Sequence, residues 1–151
     1  MIQPKVHVLI EKEDKLLFLK RANTGCYDGY WCLPTGRVED NEFPSQAAKR
    51  EVLEEAGVEI DPVFVTTLYA QVPHFFSTDG PDYTDLCFFF RVENLRGEPV
   101  NREPKKHAEL KWFPLNQLPD PLLPVARMGI DCYLSKTSYH ESGWARPANR
   151  P

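Results

Sequence analysis

At 151 residues, with 42% apolar and 26% charged residues, the chain has the make-up of one soluble globular domain, which excludes a disordered polymer and a pair of full-sized domains. A formal net charge of −4 argues against a broad surface for long nucleic acid, while small anions can still bind locally.

In chain order, VHVLIE at 5–10 and KLLFLK at 15–20 are β-like runs on either side of the polar EKED, and they predict a hairpin at the start. Residues 22–31 are rich in Gly, Asn and Asp and predict a loop, followed by a brief strand at WCLP. From Pro44 to Ala56 the pattern is helical, with Pro at a first helical position and Gly57 as the stop. Residues 62–72 and 83–93 are β-branched and aromatic and read as strands. The polar loop 95–106 precedes a further strand at LKWF, and residues 123–135 predict a second helix. Strands first, a helix among them and a helix at the end give an α+β domain over 1–145, with 146–151 as a flexible tail.

Cys26, Cys32, Cys87 and Cys132 form no C-x-x-C pair, and no two of the four histidines stand at i,i+4, so zinc-ligand spacing is absent. The start MIQPKVHVLIEKEDK has no leader-like apolar run, and no stretch of about 18 apolar residues occurs elsewhere. The expectation is a cytoplasmic protein with reduced thiols and no membrane contact.

Glu51, Glu54 and Glu55 crowd onto the first helix, where each like-charge pair at i,i+3 or i,i+4 costs about 0.2–0.5 kcal/mol. At about 100° per residue they fall within one stripe roughly 100° wide. Such a stripe is either a solvated acidic face or a set of hard oxygen donors. Magnesium prefers a few carboxylates together with substrate phosphates, and would come between this face and an anionic substrate.

The rest of the stretch favours the second alternative. Gly36, five residues, Glu42, seven residues, then Arg50-Glu51-Val52-Leu53-Glu54-Glu55-Ala56-Gly57-Val58 resembles the complete signature of the Nudix hydrolases, Gx5Ex7REUxEExGU with U aliphatic. Seven fixed letters match a given start by chance about once in 10⁹. WCLPTGRVE before the box and WFPLNQLP at 112–119 are also similar to family segments. Two positions depart from the common pattern: Thr35 stands where many members have a glycine, and Phe43 stands at the helix N-cap. The missing cap oxygen would cost about 1 kcal/mol unless Glu42 or Asn41 compensates.

The resemblance implies a Nudix fold, a mixed β-sheet sandwiched between helices, with magnesium (manganese as a substitute) held by Glu51, Glu54 and Glu55 and with the Thr35 or Gly36 carbonyl as an extra oxygen ligand. GEPVNRE is similar to the segment that supplies a late acidic ligand in MutT-type members, which singles out Glu103 over Glu98 and Glu109. Arg50 would aim the carboxylates by pairing with Glu42 or another acid. Glu51, Glu54 and Glu103 are candidates for the base that takes a proton from water. Arg21 and Arg37 are candidates for contact with nucleotide or phosphate. Tyr27, Tyr30, Trp31, Phe75, Phe76 and Tyr83 include faces on which a base could stack, while His74 and His107 read as bystanders.

The implied function is magnesium-dependent pyrophosphohydrolysis of a nucleoside-diphosphate-linked compound. A nucleoside triphosphate is the first choice, because of Arg21 and Glu103. ADP-ribose or a dinucleoside polyphosphate comes second, and a nucleotide-sensing domain without turnover would be expected to lose box acids. Short length and acidic charge disfavour RNA decapping. The partner is a small nucleotide, with oligomeric state, a homodimer included, left open.

Overall fold

β1 (Ile2–Leu9) is apolar on both faces beyond its first half, and that property decides its place. Strand alternation sends Val6 and Val8, with Ile10 after them, into one core cluster, while Leu9 joins another and Lys5 and His7 share its face. A strand buried on both sides belongs inside a sheet covered by helices. The computed structural model describes residues 2–72 and 83–143, and β1 lies there between β5 (Thr35–Arg37), antiparallel, and β7 (Tyr83–Arg96), parallel. β6 (Glu59–Val72) and β9 (Tyr139–Ser142) complete a five-stranded mixed sheet in the order β5-β1-β7-β6-β9.

A second sheet forms around β3 (Lys15–Arg21), which pairs antiparallel with β2 (Glu11–Lys12), β4 (Trp31–Cys32) and β8 (His107–Pro114). The expected hairpin between residues 5–10 and 15–20 is therefore corrected. The hairpin partner of β3 is the two-residue β2, across a turn in which Glu13 and Asp14 take φ of 52° and 59°. Two central residues with positive φ match the twist of a tight hairpin, while β1 leaves for the other sheet. β5 and β9 were not expected as strands: TGR and YHES lack the β-branched, apolar alternation that marks one.

α1 (Pro44–Ala56) lies on the Val6–Val8 side of the mixed sheet and buries Ala47, Ala48, Val52 and Ala56 among Val6, Val8, Ile10 and Phe90. Its start needs no cap from Phe43, whose side chain offers no acceptor. Gln46 Oε1 instead accepts the Phe43 N–H at 2.8 Å, so the compensation expected from Glu42 or Asn41 comes from Gln46. At the other end Gly57 adopts φ 69° and returns its N–H to the Leu53 carbonyl at 3.0 Å.

α2 (Pro124–Ser135) covers the opposite face through Val125, Ala126 and Ile130, packed with Leu9, Leu68 and Phe89. Gly129 is required there because a Cβ would run into the Phe89 ring. The mixed sheet is thus sandwiched between helices, as expected. All four cysteines are free thiols, three of them buried. The tail at 146–151 lies outside the described residues, and so do His74, Phe75 and Phe76.

Candidate active site

α1 carries its three glutamates into three different environments. Glu55 is 4% exposed, Glu51 is largely covered, and the Glu54 side chain is 52% exposed. The sequence places them on one stripe, but the stripe crosses from the sheet to solvent, so each meets a different dielectric. Burial pushes the Glu55 carboxyl well above the usual carboxylate range, and the charges of Glu51 and Glu103 add to the effect. Glu51 is raised by burial too, against the opposing pull of Arg50.

Arg50 ties the acids together. Its Nε donates to Glu42 Oε1 at 2.7 Å and a terminal nitrogen donates to Glu42 Oε2 at 3.0 Å, a two-pronged pair of the kind that fixes orientation. The other terminal nitrogen donates to Glu51 Oε1 at 2.7 Å and to Glu54 Oε2 at 3.3 Å. A further bond reaches the Arg37 carbonyl at 3.0 Å, fastening α1 to β5. Arg50 accordingly holds the Glu42 carboxyl below its ordinary value, chiefly by hydrogen bonding. The expected partner Glu42 is present, and so is the plain i,i+4 pair with Glu54.

β5 and the loop before β8 close around these carboxylates. The Thr35 N–H donates to Glu55 Oε2 at 3.4 Å, and the Thr35 hydroxyl donates to the Val6 carbonyl at 2.8 Å. Gly36 lies so near Glu51 that a Cβ would overlap its carboxylate, which gives a packing reason for glycine at the head of the box. The N–H groups of Val100 and Arg102 donate to the Ala56 and Glu55 carbonyls, each at 3.0 Å, and satisfy the end of α1. That stitching brings Glu103 within electrostatic reach of Glu55. Glu103 also pairs with Lys106 at 3.3 Å. Glu98 and Glu109 are exposed.

Among the described residues, no group of three Asp, Glu, His or Cys stands ready to hold a metal ion. Arg50 occupies oxygens of Glu51 and Glu54 that such an ion would take. The donor chemistry nevertheless fits a hard divalent cation. Glu55 is a buried carboxyl pushed toward its protonated form by neighbouring acids, and a cation would relieve the same repulsion that a proton does.

Beside the carboxylates opens a cleft of about 450 Å³ whose lining includes Lys5, His7, Arg21, Tyr27, Arg37 and Asp85. Thr35 and Gly36 join it to the acidic side, and residues 123–125 at the start of α2 form part of its far wall. Arg21 is partly engaged by its own loop, with Nε donating to the Cys26 carbonyl at 2.9 Å and a terminal nitrogen to the Thr24 hydroxyl at 3.3 Å. Tyr27 meets Tyr30 edge-on at 5.1 Å, whereas Trp31 is a core residue packed on Phe113.

The sequence of the NUDIX domain matches this chain over residues 1–130. The chain belongs to the NUDIX hydrolase family. It is 32% identical over 107 residues to the 8-oxo-dGTP diphosphatase of Proteus vulgaris, covering 68% of this chain and 89% of that protein. It is 28% identical to the 8-oxo-dGDP phosphatase of Homo sapiens and 30% identical to the NAD-capped RNA hydrolase of Stutzerimonas stutzeri. Those matches cover 76% and 89% of this chain, but it spans only 33% and 45% of those proteins. Among solved structures, the MutT NUDIX hydrolase from Burkholderia pseudomallei superposes with a TM-score of 0.73 at 26% identity, over 87% of this chain and 97% of that one.

Within the NUDIX domain, the structure adds residues that sequence reasoning missed. Lys5, His7 and Asp85 gather on the cleft floor. Their sequence signal is faint: each is a polar residue at an alternating position of an otherwise apolar strand. His107, expected to be a bystander, is buried opposite Arg21 in the β3–β8 pairing, and its backbone N–H bonds the Glu103 carbonyl at 2.9 Å.

Proposed function

We propose that this NUDIX domain hydrolyses a nucleoside triphosphate within its phosphate chain, giving a nucleoside monophosphate and pyrophosphate. The observation that carries the reading is the set of box acids gathered by Arg50, which donates to Glu42, Glu51 and Glu54, beside a cleft lined by Arg21 and Arg37. A carboxylate cluster would repel the substrate, and two guanidinium groups nearby would attract it.

The proposed ligands of magnesium, or manganese in its place, are Glu51, Glu54, Glu55 and Glu103, where the ion would neutralise phosphate charge and make bound water more acidic. Arg50 orients Glu51 and Glu54 from behind. Glu54, the most exposed of the box acids, is the favoured acceptor of the proton from water, with Glu51 and Glu103 as alternatives. Arg37 and Arg21 draw the polyphosphate and nucleotide into the cleft. Water adds to an internal phosphorus, the bridging P–O bond on that phosphorus breaks, and the leaving oxygen departs with the other product. The likeness to the Proteus vulgaris 8-oxo-dGTP diphosphatase supports a triphosphate. The likeness to an NAD-capped RNA hydrolase favours, as a second reading, a dinucleotide-type anhydride.

Hydrolysis in oxygen-18 water across triphosphates, ADP-ribose and dinucleoside polyphosphates tests this. Label in the monophosphate or pyrophosphate, dependent on magnesium and lost on chelation, is the expected result. Orthophosphate as first product, or full turnover after exhaustive chelation, overturns it. Binding without turnover across the panel would indicate a sensor.

A further inference from the structure

Of the four acids proposed to hold magnesium, three sit on α1 and are aimed by its backbone, while Glu103 comes from the loop between β7 and β8. A loop residue keeps a fixed place only where its backbone groups are bonded. On one side of Glu103, the N–H groups of Val100 and Arg102 fasten the loop to the end of α1. On the other side, the Lys106 carbonyl accepts the Ala22 N–H at 2.8 Å and the Lys105 carbonyl accepts Asn23 Nδ2 at 3.0 Å. Glu103 lies between these attachments. Its ion pair with Lys106, whose side chain is exposed, is too weak to fix it there.

Asn101 closes the turn that carries Glu103. Its Oδ1 accepts the Glu103 N–H at 3.2 Å, and its Nδ2 donates to the His107 carbonyl at 2.8 Å. The Glu103 carbonyl accepts the N–H groups of Lys106 and His107, each at 2.9 Å, across a turn with Pro104 in its second place. Both backbone polar groups of Glu103 are therefore occupied, one of them by the Asn101 side chain. His107 is buried and belongs to β8, paired with β3, so the amide is anchored on the second sheet rather than on another loop. Asn101 itself stands between Val100 and Arg102, the two residues bonded to α1. One side chain thus ties the loop acid both to the sheet and to the helix that bears the other acids. The short carboxamide suits this place because it offers an acceptor and a donor on one head group. A carboxylate would set an oxygen against the His107 carbonyl.

Resting on the reading of Glu103 as a magnesium ligand, we infer that Asn101 is a positioning residue for the metal site, fixing the backbone of Glu103 so that its carboxylate is held toward the acids of α1. The charge of Glu103 is felt at buried Glu55, which agrees with that placement. The consequence is energetic. A carboxylate already in place lets the ion bind without ordering the loop, whereas a loosened loop must be ordered as the ion arrives. Partners that orient a ligand from outside the metal's own shell typically change metal affinity by about 10- to 100-fold.

The test is binding of Mn2+ to the full chain without nucleotide, followed by electron paramagnetic resonance of the free ion. Asn101→Ala is expected to weaken binding by about tenfold, and Glu103→Gln by about as much or more. In the Glu103→Gln background Asn101→Ala should change the affinity no further, because a residue that acts through Glu103 has nothing left to position. Asn101→Ser keeps an acceptor for the Glu103 N–H, loses the reach to His107, and is expected to weaken binding by about threefold. That variant carries the test if Asn101→Ala does not fold, which thermal melting in chelator reads. A lowered melting temperature with unchanged Mn2+ affinity means that Asn101 only supports the fold, and overturns the inference. Equal losses of affinity in both backgrounds overturn it as well, and Glu103 stays a ligand in either case if Glu103→Gln alone weakens binding. Wild-type affinity in Glu103→Gln overturns the ligand reading and the inference together.

Discussion

Arg50 Nε lies 2.7 Å from Glu42 Oε1, while a terminal nitrogen of the same guanidinium lies 2.7 Å from Glu51 Oε1, so one side chain spans the loop acid and the helix acid of the box. The fork shape of the guanidinium makes this possible, and an ammonium has no equivalent. Arg50→Lys is therefore expected to keep the charge and lose the alignment. Turnover should fall by at least about tenfold, mainly in kcat, with a stability loss of about 1 kcal/mol. Steady-state kinetics and urea melts check it, and a wild-type kcat would show that alignment by Arg50 is dispensable.

Glu54→Gln and Glu55→Gln should each reduce activity by at least about 10²-fold, the scale of a lost base or a major electrostatic group. Their stabilities should diverge, because the environments differ. Glu55 is buried and its carboxyl is pushed up by burial and by Glu51, so replacing it by an amide should raise the melting temperature in chelator. Glu54 is exposed and should show little change. Differential scanning fluorimetry with and without magnesium reads both, and equal near-wild-type rates for the two variants would return α1 to a plain acidic face.

Gly36→Ala tests whether the close approach of β5 to α1 matters. The added Cβ would occupy the space of the Glu51 carboxylate, so that side chain must swing away from its Arg50 bond. Activity is expected to drop by about tenfold or more through displacement of Glu51, the kind of loss that a misplacement of about 1 Å produces. A variant of unaltered kcat and melting temperature would mean that the contact relaxes without consequence.

His7 predicts a pH dependence with a definite sign. Burial, reinforced by the charges of Lys5 and Arg21, lowers its pKa from 6.5 to about 3. Above pH 6.5 both folded and unfolded chains hold it neutral. As pH falls through 6.5 the unfolded chain gains a proton that the folded chain refuses, so stability falls by up to about 1.4 kcal/mol per pH unit until about pH 3. His7→Phe, which keeps a ring against Phe89, should lessen the decline between pH 6.5 and 5. Urea unfolding at a series of pH values measures the slope, and identical slopes in the two proteins would show that His7 is not the group responsible.

The α1 stretch was legible in the sequence because helix formation is local. Pro44, the small alanines, Gly57 and the spacing of Glu51, Glu54 and Glu55 all lie within one window, and the box that carries them marks the family. Glu103 was reachable only through its own segment, GEPVNRE. The backbone bonds from Val100 and Arg102 that carry it to Glu55 depend on two distant stretches meeting.

Tertiary structure alone decided the rest. That Glu55 is buried while Glu54 is not depends on where the sheet and the 97–106 loop cover α1, which the periodicity of the helix does not contain. β1 and β3 look alike as apolar runs, yet they enter different sheets, because strand partners are set by register and by which faces need covering. The Lys5–Asp85 pair is the sharpest case. Two ordinary charged residues 80 positions apart become an ion pair, with Asp85 buried and Lys5 partly covered, only when β1 lies parallel to β7. Local sequence carries the period of each element, and the contact between elements supplies the dielectric and the neighbours that give those residues their chemistry.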